Sequence, residues 1–137
     1  MFVVENDEIS LINTLNFVES FTIFNNGKSK EINKNNKSFF IINEQLENLF
    51  KSARLMPAFG VSLHNETLNE LKYNNWLQIN FEKELNKNGL NFTSLLFKLD
   101  NTSGFNLIRL NNGRYDGRCL YLDLSENIDL QTIIKNN

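Results

Sequence analysis

Three Asn-Gly pairs, Asn26-Gly27, Asn88-Gly89 and Asn112-Gly113, each sit between stretches rich in apolar residues. A two-residue type I′ turn needs positive φ at both central positions, and Asn-Gly meets that need with the least steric cost. Three such turns commit a chain of 137 residues to antiparallel hairpins. The first predicts strands near residues 20–25 and 28–33. From Trp76 onward the pattern reads as a β-meander through "WLQINFEKEL", "FTSLLFKLD", "FNLIRL" and "GRCLYLDL". Trp76 is out of phase with Leu77, Ile79 and Phe81, and Leu120, Leu122 and Leu124 alternate with Cys119, Tyr121 and Asp123, as in half-buried strands. The last of these runs is expected to close the sheet.

Helical spacing interrupts this pattern. Phe39, Ile42, Leu46, Leu49 and Ala53 recur at intervals of 3, 4, 3 and 4, which keeps one face apolar for about four turns. This predicts the main helix over about 38–55. Asn36 or Ser38 would cap it, and Pro57 would stop it by pushing the preceding residue out of the α region. "FGVSL" then reads as a short buried strand with Val61 and Leu63 on one side. "NDEISLINTLNFVES" suggests a first helix with Ile9, Ile12, Leu15 and Val18 inward, and "NETLNELKYN" a short one capped by Asn65. "NIDLQTIIKNN" would end the chain as another. The expected fold is α+β, one domain over 1–137, with an antiparallel sheet of five or six strands and the 38–55 helix on one face.

Size and composition suit a self-sufficient core. A chain this long can bury about two-thirds of its unfolded surface, and 41% of it is hydrophobic, with 12 Phe. Asparagine is abundant but dispersed, so it reads as AT-rich coding rather than a prion-like tract. The net charge of −2 and pI near 5.4 lack the basic footprint of a nucleic-acid binder. The four lysines and one glutamate of residues 28–37 read as solvated surface. One cysteine, Cys119, leaves no intrachain disulfide. "MFVVENDEIS" has no basic leader region, and no apolar run is long enough to span a membrane. The expected setting is the cytoplasm, without membrane or nucleic acid, and with the oligomeric state left open.

Catalytic signatures are missing. His64-x-Glu66 lacks the P-C-x-x-C partner of the zinc deaminases. One His and one Cys cannot supply a typical structural zinc site, so no metal and no cofactor is expected. No phosphate-cradling glycine motif occurs. A Cys119–His64 nucleophile pair is arithmetically open, but Cys119 lies in an apolar alternation where a thiol is ordinarily inert.

The densest polar stretch is "RLNNGRYDGRC", where Arg109, Arg114 and Arg118 surround Tyr115 and Asp116. Arginine forks bind carboxylates and phosphates, and Tyr and Arg anchor interfaces. The bland account is a hairpin whose arginines pair with Asp116 and nearby acids. Two functional expectations follow. The leading one is a non-catalytic protein-binding module of inhibitor or immunity type, using Arg109, Arg114, Tyr115, Asp116 and Arg118 on a protein partner. The alternative is a small enzyme or binding protein for an anionic phosphate or carboxylate, using Arg54, His64 and Glu66 with the arginines. A binding module would leave His64 remote and Tyr115 exposed, whereas an enzyme needs His64 and an arginine in one concave pocket. Arg54 also has a cheaper explanation, a cation near the end of the main helix.

Overall fold

The computed structural model describes residues 7–87, 89–99 and 104–124. Within them the chain runs α1 (Asp7–Thr14), a 3-10 turn (Leu15–Phe17), β1 (Val18–Asn25), β2 (Lys28–Asn33), α2 (Lys37–Ser52), β3 (Ala53–Ser62), α3 (His64–Glu70), β4 (Asn75–Lys87), β5 (Leu90–Lys98), β6 (Gly104–Leu110) and β7 (Gly117–Leu124). The strands form a seven-stranded sheet in the order β2-β1-β4-β5-β6-β7-β3, with antiparallel pairing throughout. The α+β class and the antiparallel sheet are as expected, and the strand count exceeds the expected five or six.

Two of the three expected Asn-Gly turns are described in full, and Asn88 of the third lies outside the described residues. Asn26 and Gly27 have φ of 49° and 89°, and Asn112 and Gly113 have 53° and 76°. The meander from β4 to β7 is continuous, with Leu120, Leu122 and Leu124 buried. Helix α2 buries Phe39, Ile42, Leu46, Leu49 and Phe50 against the sheet face carrying Phe21, Leu77, Ile79, Phe97, Leu107 and Leu122. Asn36 caps it by accepting the Ser38 N–H at 2.9 Å.

The end of α2 differs from expectation. The helix stops at Ser52 and β3 begins at Ala53. Leu49 and Ala53 are four apart, a spacing compatible with a continuing helix. From Ala53, however, the period becomes two: Ala53 and Leu55 are buried while Arg54 and Met56 are exposed. Ala53 and Leu55 pair with Leu124 and Leu122 of β7. Pro57 therefore does not stop the helix but lies inside a strand. This is tolerated because β3 is the sheet edge, where no second ladder needs its missing N–H. β3, not β7, closes the sheet, and Val61 and Leu63 are exposed rather than buried.

The shorter helices also shift. The first helix ends at Thr14, whose hydroxyl donates to the Leu11 carbonyl at 2.6 Å. Among the described side chains Leu11 and Thr14 of this helix and Leu15 of the following turn are buried and Ile12 is half-buried, while Val18 already belongs to β1 and the expected burial of Ile9 lies outside the described residues. Helix α3 starts at His64 with Leu63 as N-cap and no side-chain cap, so Asn65 does not cap it. The expected C-terminal helix over 127–137 lies outside the described residues.

The two crossovers use opposite faces. Helix α2 carries the chain from edge strand β2 to edge strand β3 over the main core. The segment containing α3 returns it to β4 on the other face, where Leu71, Trp76, Leu96 and Tyr115 make a second apolar cluster.

Candidate functional site

The β6–β7 hairpin turns at Asn112-Gly113, and Asn111 and Arg114 exchange backbone hydrogen bonds of 3.0 and 3.1 Å. Beyond the turn, Arg114 Nε donates to Asp116 Oδ2 at 2.9 Å, with both side chains about half exposed. Between them Tyr115 turns inward and is only 7% exposed, so it is not the exposed contact residue expected of a binding module, and His64 lies against it rather than remote.

Tyr115 is held from three directions. Its backbone N–H donates to His64 Nδ1 at 3.1 Å, and the two rings stack 6.1 Å apart. Its carbonyl accepts from the Ser62 hydroxyl at 3.3 Å, and Ser62 shares a 2.6 Å hydrogen bond with Thr67 of α3. Its phenol donates to Gln78 Oε1. Gln78 begins a polar ladder across the sheet. Its amide donates to Asn80 Oδ1 at 2.7 Å, which also accepts from Ser94 at 2.9 Å. Asn80 in turn donates to Ser20 and Thr22 at 3.1 and 2.9 Å. Burial pushes the Tyr115 phenol above its ordinary value of 10.0, because the phenolate would be poorly solvated there.

The remaining arginines have separate placements. Arg109 clamps three strands: Nε donates to the Arg118 carbonyl at 2.6 Å and Nη1 to the Asn91 carbonyl at 2.7 Å. Arg118 is exposed and stands opposite Val61 in the β3–β7 ladder. Arg54, in β3 and two residues beyond the end of α2, stands opposite Asp123 of β7. The structure thus brings His64 to Tyr115, with Glu66 in the same helix, and leaves Arg54 near the other end of β3.

A pocket of about 260 Å³ opens between α3 and the sheet. The register explains it: Pro57 pairs with Leu120 and Val61 with Arg118, so residues 58–60 face Cys119 alone. This bulge interrupts the ladder at Cys119. Val61, Leu63 and Ile108 supply apolar lining, Glu66 and Glu70 line the α3 side, and Cys119 lies among them. Burial pushes the Cys119 thiol above 9.0, and the Arg109 charge and Ser62 backbone only partly offset this. The thiol is therefore protonated at neutral pH.

The pocket and the ladder were not anticipated from sequence. The ladder had a visible signal, since Gln78 and Asn80 share the phase of Trp76 opposite Leu77 and Ile79. Nothing local signals the pocket, which depends on register across β3 and β7. Among the described residues, no group of three or more His, Cys, Asp or Glu could hold a metal ion, and no helix is long and apolar enough to cross a membrane. Comparison with protein-family models, curated proteins and solved structures gave no match.

Proposed function

We propose that this protein is a non-catalytic, cytoplasmic protein-binding module of the inhibitor or immunity type, with the β3–α3 corner central to its contact face. The observation that carries the reading is the exposure of Val61 and Leu63, at 63% and 54%. Of seven large apolar residues exposed among the described residues, four (Met56, Val61, Leu63 and Leu68) fall between residues 53 and 70. Val61 and Leu63 are two residues apart at the end of β3, and adjacent exposed apolar side chains of this kind favour a contact surface.

The two sheet edges support it by contrast. β2 exposes Lys28 and Lys30, the charge protection typical of an edge that must stay unpaired. The last residues of β3 have no such lysines. Exposed Arg118 lies across from Val61, and Arg114 and Asp116 extend the face with the polar rim that interfaces favour. Tyr115 supports this face from beneath, and Arg109 braces it. The anion-handling alternative has less support, because Arg109 and Arg114 spend donors within the fold and the pocket is lined by glutamates.

The test is affinity capture from the source cell, comparing wild type with Val61→Asp and with the Arg114→Ala/Arg118→Ala double variant. The expected result is one near-stoichiometric protein, lost from Val61→Asp and reduced in the double variant while both remain folded. Equal recovery by all three would overturn the reading.

A further inference from the structure

The geometry points to the pocket between α3 and the sheet as a receptor for one lysine or arginine side chain of the protein partner; this rests on the binding-module reading above. Long basic side chains combine an apolar stem with a charged head. The pocket offers both environments: Val61, Leu63 and Ile108 can cover a stem, and Glu66 and Glu70 can meet a head.

The two glutamates are one helical turn apart in α3, on the same face. Like charges at that spacing destabilise a helix, and neither glutamate has an ion pair among the described residues. A cation seated in the pocket relieves this repulsion. An anionic side chain would add to it, and a purely apolar one would leave both carboxylates unanswered. The pocket lies at the β3–β7 register break, where three β3 residues stand against Cys119. Cys119 adds no competing charge, because its burial keeps the thiol neutral.

The test is an amide NMR titration of the whole chain at low ionic strength with N-acetyl-arginine amide and N-acetyl-lysine amide, using N-acetyl-glutamine amide as the neutral control. The probes run to about 50 mM, because one side chain in an open pocket binds at roughly millimolar strength. The expected result is saturable shifts confined to residues 60–70, 106–108 and 119 with the cationic probes alone. Glu66→Gln/Glu70→Gln should weaken binding about tenfold, while Glu82→Gln/Glu84→Gln, which removes the same charge from β4, should leave it unchanged. Scattered or absent shifts, an equal response to the glutamine probe, or undiminished binding by Glu66→Gln/Glu70→Gln would each overturn the inference. If the cationic probes are silent while Val61→Asp still abolishes capture, the inference fails and the binding-module reading stands. If Val61→Asp captures as well as wild type, that reading itself fails.

Discussion

His64 Nδ1 accepts the backbone N–H of Tyr115 at 3.1 Å, across 51 residues of sequence. This contact fastens the first turn of α3 to the β6–β7 hairpin and places the β3–α3 corner beside Arg114 and Asp116. A nitrogen that accepts a hydrogen bond carries no proton, so His64 must hold its proton on Nε2 when neutral. Nitrogen-15 NMR of the imidazole should report the Nε2–H tautomer. His64→Ala should increase hydrogen exchange at the Tyr115 amide, and unchanged exchange would show that the contact does not hold the loop.

Tyr115→Phe should destabilise the fold by about 1–3 kcal/mol, because it leaves the buried Gln78 oxygen without its donor. Tyr115→Ala should cost about 3–5 kcal/mol by emptying the second apolar cluster as well. Urea denaturation monitored by Trp76 fluorescence measures both. Equal, small losses would mean that Tyr115 is not held as described.

Alkaline pH should unfold the protein earlier than its carboxylates and lysines alone would predict. The folded state raises the proton affinity of Tyr115 above 10.0 and of Cys119 above 9.0, in both cases through burial. The unfolded chain therefore loses these protons first. Their contribution is fully present below the unfolded values and is lost as pH rises through the folded ones. Urea midpoints should fall from about pH 9 upward, with a shallower fall in Cys119→Ala and in Tyr115→Phe. A limb unchanged in both variants would contradict the burial of these two groups.

Gly117 has φ of 100°, and a Cβ there would come within 2.5 Å of Arg109 Nη2. That guanidinium cannot easily withdraw, since it holds the Arg118 and Asn91 carbonyls. Gly117→Ala should cost about 1–3 kcal/mol from backbone strain alone. Gly60→Ala is the control: its added methyl meets nothing within 4 Å, and its effect should stay within about 0.5 kcal/mol. Comparable melting temperatures for the two variants would contradict the positive φ of Gly117 and its close approach to Arg109.

The parts of this fold that were legible from sequence are those set by short-range constraints. Asn26-Gly27 and Asn112-Gly113 announce hairpins because few other pairs tolerate their φ angles, and the Phe39-to-Leu49 spacing announces α2. The last residues of edge strand β3 were legible in "FGVSL", but its first half was hidden because Ala53 satisfies both a helical period and a strand period. The choice between them is made by Leu122 and Leu124, some 70 residues away. The burial of Tyr115 depends on Gln78 and His64, neither of which is its neighbour in sequence. Of the candidate residues, Arg114, Asp116 and Arg118 keep the surface position expected for a hairpin, while Tyr115 and Arg109 support it from within.

The central claim is that the corner bearing Val61 meets another protein. Photo-crosslinking in the source cell tests it most directly, with benzoyl-phenylalanine placed at position 61 and, separately, at position 30 on the opposite sheet edge. The expected result is one discrete protein adduct from position 61 and none from position 30. No adduct from position 61, or the same pattern of adducts from both positions, would contradict the claim.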